Sequence, residues 1–131
     1  KKGERELATD NTRREAQAVQ DAAETLHENF VKRAFQTDSI CQLATASPHP
    51  VLVCGDFNSL PSSYTYRQLS GILQDGFKTG GHGYMYTYRY AKHMLRIDYA
   101  FHSPELECTD YYSPNLDLCS DHNPVIFTVK Y

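Results

Sequence analysis

A chain of 131 residues has room for one domain with a buried core and too little for two. With 40% hydrophobic and 12% aromatic residues, including ten tyrosines and no tryptophan, the composition excludes the disordered and fibrous classes and fits a soluble globular protein. The formal net charge of -3 gives no chain-wide electrostatic reason for tight nonspecific nucleic-acid binding, so a polyanionic substrate is permitted and not indicated.

Residues 1–29 are charged and alanine-rich, with helix formers such as Glu15, Ala16, Gln17, Ala18, Gln20, Ala22, Ala23 and Glu24, and they predict a solvated helix with a frayed or disordered start. Over 28–47 apolar residues recur at helical spacing, with Val31, Ala34, Phe35, Cys41 and Ala44 close to one stripe, until Pro48 and Pro50 stop the helix. This second helix is expected to cover a sheet. The chain therefore divides into a charged helical or disordered lead-in over 1–27 and a folded part over 28–131.

Val51-Leu52-Val53-Cys54 is a continuous apolar run ending at Gly55, which predicts a central strand buried on both faces, with any chemistry at its C-terminal end. Pro61-Ser62-Ser63 opens a helix whose apolar face carries Tyr64, Leu69, Ile72 and Leu73, and Asp75-Gly76 closes it. Between Lys78 and Arg96, His82, Arg89, Lys92 and His93 interleave with Tyr84, Tyr86, Tyr88 and Tyr90. A basic, aromatic loop of that kind could touch a phosphorylated substrate, but an exposed hairpin turning at Gly80-Gly81 is the preferred reading.

Residues 95–101 alternate, with Leu95, Ile97, Tyr99 and Phe101 on one side and Arg96, Asp98 and Ala100 on the other, so Asp98 points away from the main apolar face of a strand. Residues 106–112 and 125–131 predict two more strands. Cys41, Cys54, Cys108 and Cys119 lack CxxC spacing and the density of a disulfide scaffold, so reduced thiols are expected, Cys54 being buried in its apolar run. His27, His49 and His102 have no partner pattern and read as surface or loop residues. No apolar run approaches the roughly 20 residues that cross a bilayer, and the Lys1-Lys2-Gly3-Glu4-Arg5 start has no signal-peptide core behind it. The piece is expected to be soluble, while the address of a longer parent, anchored or exported, stays open.

Three constellations carry chemistry. In Gly55-Asp56-Phe57-Asn58, extended geometry would put Asp56 and Asn58 on one side, an acceptor-only carboxylate beside a neutral amide. Such a pair suits phosphate-ester hydrolysis, because Asp56 can orient or deprotonate water while the amide adds no repelling charge. The same four residues also make an ordinary Asx turn. The second is Asp98 within Arg96-Ile97-Asp98-Tyr99, which could instead pair with Arg96, and the third is Ser120-Asp121-His122-Asn123-Pro124, where His122 could be a plain surface histidine at a stiffened turn. Taken together they supply a carboxylate to fix a histidine tautomer, a second carboxylate beside that histidine, and an Asp/Asn pair, all at strand ends.

GDFNSLP, RIDYAF and SDHNPV, in this order and rough spacing, resemble the second half of the endonuclease/exonuclease/phosphatase family, and the resemblance covers residues 28 to 131. It implies an α/β (α+β) fold, half of a four-layer α/β/β/α sandwich, with one mixed β-sheet and flanking helices. It further implies a metal-dependent phosphoester hydrolase, phosphodiesterase or phosphatase, in which Asp56 activates water, Asn58 positions water or the phosphoryl group, His122 contacts the scissile phosphate, and Asp98 orients His122. Asp121 would be a metal-site carboxylate, directly or through water, with Mg2+ or Mn2+ as the ion. Nucleic acid, an inositol phosphate or phosphoinositide, a phospholipid headgroup or a small nucleotide would all use this core, so the substrate stays open at this point. The family's first half places a metal-binding Glu and an Asn that no motif before Asp56 matches: Glu4, Glu6, Glu15, Glu24 and Glu28 lie in charged helical context. The chain alone is therefore expected to be inactive and to meet the missing N-terminal half, or a second copy of itself, through an exposed sheet face. A catalytically incompetent scaffold or interaction domain is the alternative. A binuclear site is disfavoured because neither HxH nor GDxHG occurs.

Overall fold

The structure is a computed structural model, and it describes residues 2–116 and 119–131. Helix α1 (Lys2–Ala46) runs unbroken through both of the helical segments expected from the sequence. The chain forms two compact units, the first ending at Gln36 and the second spanning Thr37–Tyr131. In the first unit the helix is laced by exposed pairs one turn apart, Gln17 Nε2 donating to Asp21 Oδ1 at 2.7 Å and Gln20 Nε2 to Glu24 Oε1 at 3.1 Å. Pairs of this kind contribute about 0.2–0.5 kcal/mol each, so good helix formers and local bonds support this stretch. Of the expected apolar stripe, Val31 and Phe35 are exposed, whereas Cys41 and Ala44 in the second unit pack against its core together with Ile40.

The second unit continues with β1 (Leu52–Asp56), α2 (Tyr64–Ile72), β2 (Gln74–Asp75), the short α3 (Gly76–Gly80), β3 (Asp98–His102), β4 (Glu107–Tyr112) and β5 (Ile126–Lys130). The α+β class follows the sequence. Among the described residues every pairing is antiparallel, however, and the strands form two sheets instead of one mixed sheet: β1-β3-β2 and β4-β5.

The strand buried on both faces is β3, not β1. Tyr99 and Phe101 pack with Tyr66, Leu69 and Leu73 of α2 and its end, while Ala100 on the opposite face packs with Cys108 and Tyr111. Side-chain alternation thus feeds two apolar clusters from one strand. Strand β1 pairs only with β3 among the described residues, and its Leu52 and Cys54 are exposed, contrary to the central burial expected of both. The continuous apolar run is real, but nothing described covers its outer side.

Helix α2 starts where Ser63, in extended conformation, accepts from Tyr66 N at 3.2 Å and so satisfies a donor the helix cannot use. Behind it Asp75 caps α3 through Phe77 N at 3.0 Å and takes both Arg96 Nη1 at 2.9 Å and the Tyr66 hydroxyl at 2.7 Å on Oδ2. The Arg96 guanidinium lies over the Tyr99, Phe77 and Tyr66 rings at 4.7, 4.8 and 5.7 Å. Gly76 admits the close approach of β3 and β4, since a Cβ there would come within 2.9 Å of both Ala100 O and Tyr111 Cδ2. His102 is also structural: it is fully buried, with Nδ1 donating to Ser103 O at 2.9 Å and Nε2 beside Thr79 Oγ1 at 2.9 Å. It is not the surface residue its sequence context suggests.

Candidate active site

Antiparallel register sets the geometry of the site. The β1–β3 ladder places Asp56 directly across from Asp98. Like charges opposed in this way destabilise a sheet unless something intervenes. His122 does: its Nδ1 donates to Asp98 Oδ2 at 2.8 Å, and its Nε2 lies 3.8 Å from Asp56 Oδ2 and 4.0 Å from Asp121 Oδ1. The hydrogen bond to Asp98, countered in part by burial and reinforced by the charges of Asp98, Asp56 and Asp121, raises the His122 pKa above its ordinary value. Because Nδ1 is committed to Asp98, the other ring nitrogen faces the two remaining carboxylates.

Asp56 makes the Asx turn, one of the two readings that its sequence left open. Its Oδ1 accepts from Asn58 N at 2.8 Å, the expected Asx turn, and this leaves Oδ2 toward His122. The turn also ends the strand: β1 stops at Asp56 and Asn58 adopts φ 45°, a left-handed conformation that Asn tolerates. The alternation that would have aligned Asn58 with Asp56 therefore does not extend that far, and Asn58 is exposed and outside the cleft lining. Phe57, between them, donates its N–H to Ile97 O at 2.9 Å and packs edge-on to Tyr99 and Phe101. The possible Arg96–Asp98 pair does not form, since Arg96 is held in the core by Asp75.

Asp56, Asp98 and His122 each bring a ligand-capable atom within 4.8 Å of the others. They line a cleft of about 410 Å³ whose other walls include Cys54, Ser120 and Asn123. Ser120 Oγ accepts from His122 N at 3.1 Å and fixes the local turn.

The segment read as an exposed hairpin around Gly80-Gly81 is instead α3 followed by a loop docked on this site. Tyr88 bridges both Leu95 and His122, its ring lies edge-on to the His122 imidazole at 5.4 Å, and Arg89 donates from N to Asp121 O at 2.8 Å and from Nη1 to Ser120 O at 3.0 Å. Tyr88 and Arg89 belong to the basic, aromatic loop for which the sequence offers both contact with a phosphorylated substrate and, as the preferred reading, an exposed hairpin. The signal for them was the alternation of aromatic and basic residues, which weakly favours either reading.

The endonuclease/exonuclease/phosphatase family model matches residues 11–122, so the chain belongs to this family, whose members include phosphatases and nucleases and are generally hydrolytic enzymes that use divalent metals. Among solved structures, a family member from Bacteroides vulgatus is similar at 25% identity and a TM-score of 0.66, over 75% of this chain and 43% of that one. A conserved protein from Enterococcus faecalis of unknown function aligns with the same TM-score at 20% identity, over 75% and 44%. The catalytic domain of human nocturnin with a bound sulfate anion aligns at 26% identity and a TM-score of 0.50, over 73% and 41%. The chain thus spans less than half the length of the structures it resembles. No curated protein sequence matches it.

Proposed function

We propose that this chain carries part of the catalytic centre of a metal-dependent phosphoester hydrolase, in which Asp56 assists the attacking water and His122 stabilises charge on the phosphate. The observation that supports it most directly is the Asp98–His122–Asp56 line, in which a 2.8 Å bond commits one ring nitrogen and leaves Nε2 facing the cleft. Protonated, Nε2–H can donate to a phosphoryl oxygen, and its raised pKa favours that form. Asp98 acts through His122 by holding its tautomer and ring plane. Asp56 Oδ2, spared by the turn bond to Oδ1, can accept a proton from water, and Asn58, immediately beyond, would orient water or a phosphoryl oxygen with its amide.

The donor set fits a hard cation. Asp56 and Asp98 each bring a carboxylate oxygen into the cluster with His122, Asp121 Oδ1 lies 4.0 Å from His122 Nε2, and few protein ligands with several retained waters is the pattern Mg2+ or Mn2+ prefers. When bound, such an ion polarises the phosphoryl oxygens. A tetrahedral anion as ligand is in keeping with the sulfate held by the nocturnin catalytic domain, and nucleic acid, phosphoinositide and phospholipid headgroup all present that chemistry. The exposed Leu52 on β1 suits a covering segment, either the N-terminal half of a longer protein or a second copy.

The test is hydrolysis of a generic phosphodiester and a phosphomonoester by this chain and by a longer protein that contains it, with Mg2+ and after chelation. A metal-dependent activity that Asp56→Ala and His122→Ala each reduce by about 10²-fold or more is expected. Activity that survives chelation, or survives both substitutions, would remove this reading.

A further inference from the structure

We propose that Thr87 is a positioning residue of this site, holding Asp98 and His122 in register from a place no catalytic motif includes. The inference rests on the reading of Asp98 and His122 as an acting pair. Thr87 is completely buried. Its Oγ1 accepts from Ile97 N at 3.0 Å and from Asp98 N at 3.1 Å. Its own carbonyl accepts from Asn123 N at 2.7 Å, and its N–H donates to Leu95 O at 2.9 Å. Ile97 in turn accepts on its carbonyl from Phe57 N at 2.9 Å.

One residue therefore joins the backbone beside Asp56, the backbone of Asp98 and the backbone that follows His122. The hydroxyl is essential to this arrangement. The Ile97 and Asp98 N–H groups meet it where the β3 strand has just begun, and without it two backbone donors, one buried and one partly buried, would lose their partner. A displacement of Asp98 from that cause would pass directly to His122 through their 2.8 Å bond. Such a role explains why a threonine in a tyrosine-rich loop is buried while Tyr84 and Tyr90 beside it are exposed.

Thr87→Val keeps the shape and removes the hydroxyl; Thr87→Ser keeps the hydroxyl. In amide hydrogen exchange on the 131-residue chain, Ile97, Asp98 and Asn123 are expected to open as one unit. Protection should persist in Thr87→Ser and fall at least about tenfold at Ile97 and Asp98 in Thr87→Val. In the form of the protein that hydrolyses phosphoesters, Thr87→Val should lower kcat by about 10- to 100-fold with KM within about twofold, and Thr87→Ser should restore kcat. If Asp98→Asn and His122→Ala abolish turnover while Thr87→Val leaves kcat intact, the inference about Thr87 fails alone. If those two substitutions are silent, the catalytic reading itself fails. Should Thr87→Val not fold, the unsubstituted chain decides: Asn123 opening independently of Ile97 and Asp98 overturns the proposal, and joint opening with full protection in Thr87→Ser supports it.

Discussion

His122 is the residue on which the site's electrostatics converge, because it lies between the facing carboxylates of Asp56 and Asp98. Its hydrogen bond to Asp98 raises its pKa, so protonation is favoured by folding. The stabilisation that follows is fully present below the unfolded value near about 6.5 and is lost as pH rises through the higher folded value. Asp98→Asn should remove most of this pH dependence and move the His122 titration to lower pH. An NMR titration of the imidazole, with urea unfolding across the same range, checks it; a His122 titration unchanged by the substitution would contradict the cause assigned here. Asp56, Asp98, Asp121 and His122 were all legible as candidates because carboxylates and a histidine at strand ends carry recognisable chemistry. Strand alternation aligns Asn58 with Asp56, and the left-handed turn at Asn58 itself breaks that alternation.

At the scale of elements, local signals were followed closely. Ser63 behaves as its sequence position implies, capping α2 through Tyr66 N. Ser63→Ala should cost about 1 kcal/mol in urea unfolding, and Ser63→Asp should restore most of it. The strand starting at Glu107 and the strand ending at Lys130 lie close to where β propensity and turn residues put them. Burial was harder to read, because an apolar run reports a preference for burial and not the presence of a cover. The run at Val51–Cys54 sits at the margin of its sheet, whereas β3, whose alternation looked one-sided, is packed on both faces because its small Ala100 fits beneath Tyr111 and Cys108. The loop between α3 and β3 departs from the exposed hairpin expected there for the related reason that Thr87 and Tyr88 are satisfied by partners far along the chain.

Over the whole second unit, one buried ion pair ties α2, β2, α3 and the approach to β3. Arg96 and Asp75 meet at 2.9 Å, Tyr66 shares the carboxylate, and three rings surround the guanidinium. Such a pair is weak evidence of net stability, but breaking it is costly because the surviving charge has no water. Arg96→Met should therefore destabilise the chain by about 3–5 kcal/mol, and adding Asp75→Asn should recover part of that loss. Chemical denaturation of both variants measures it, and additive losses in the double variant would show that the two groups do not interact. No helix among the described residues is long and apolar enough to cross a membrane.

By itself the sequence determined the α+β class, the family, most element positions and the short list of chemically able residues, because these depend on local propensity, periodicity and motif. Only the tertiary structure decided which strand is central, where Arg96 goes, and that Thr87 underlies the site. Those outcomes depend on strand register and on hydrogen bonds between residues ten to thirty-six positions apart, Thr87 to Ile97 at the near end and Asn123 to Thr87 at the far one. Register and long-range pairing are settled by the packing of the whole unit, and no stretch of the chain contains that information alone.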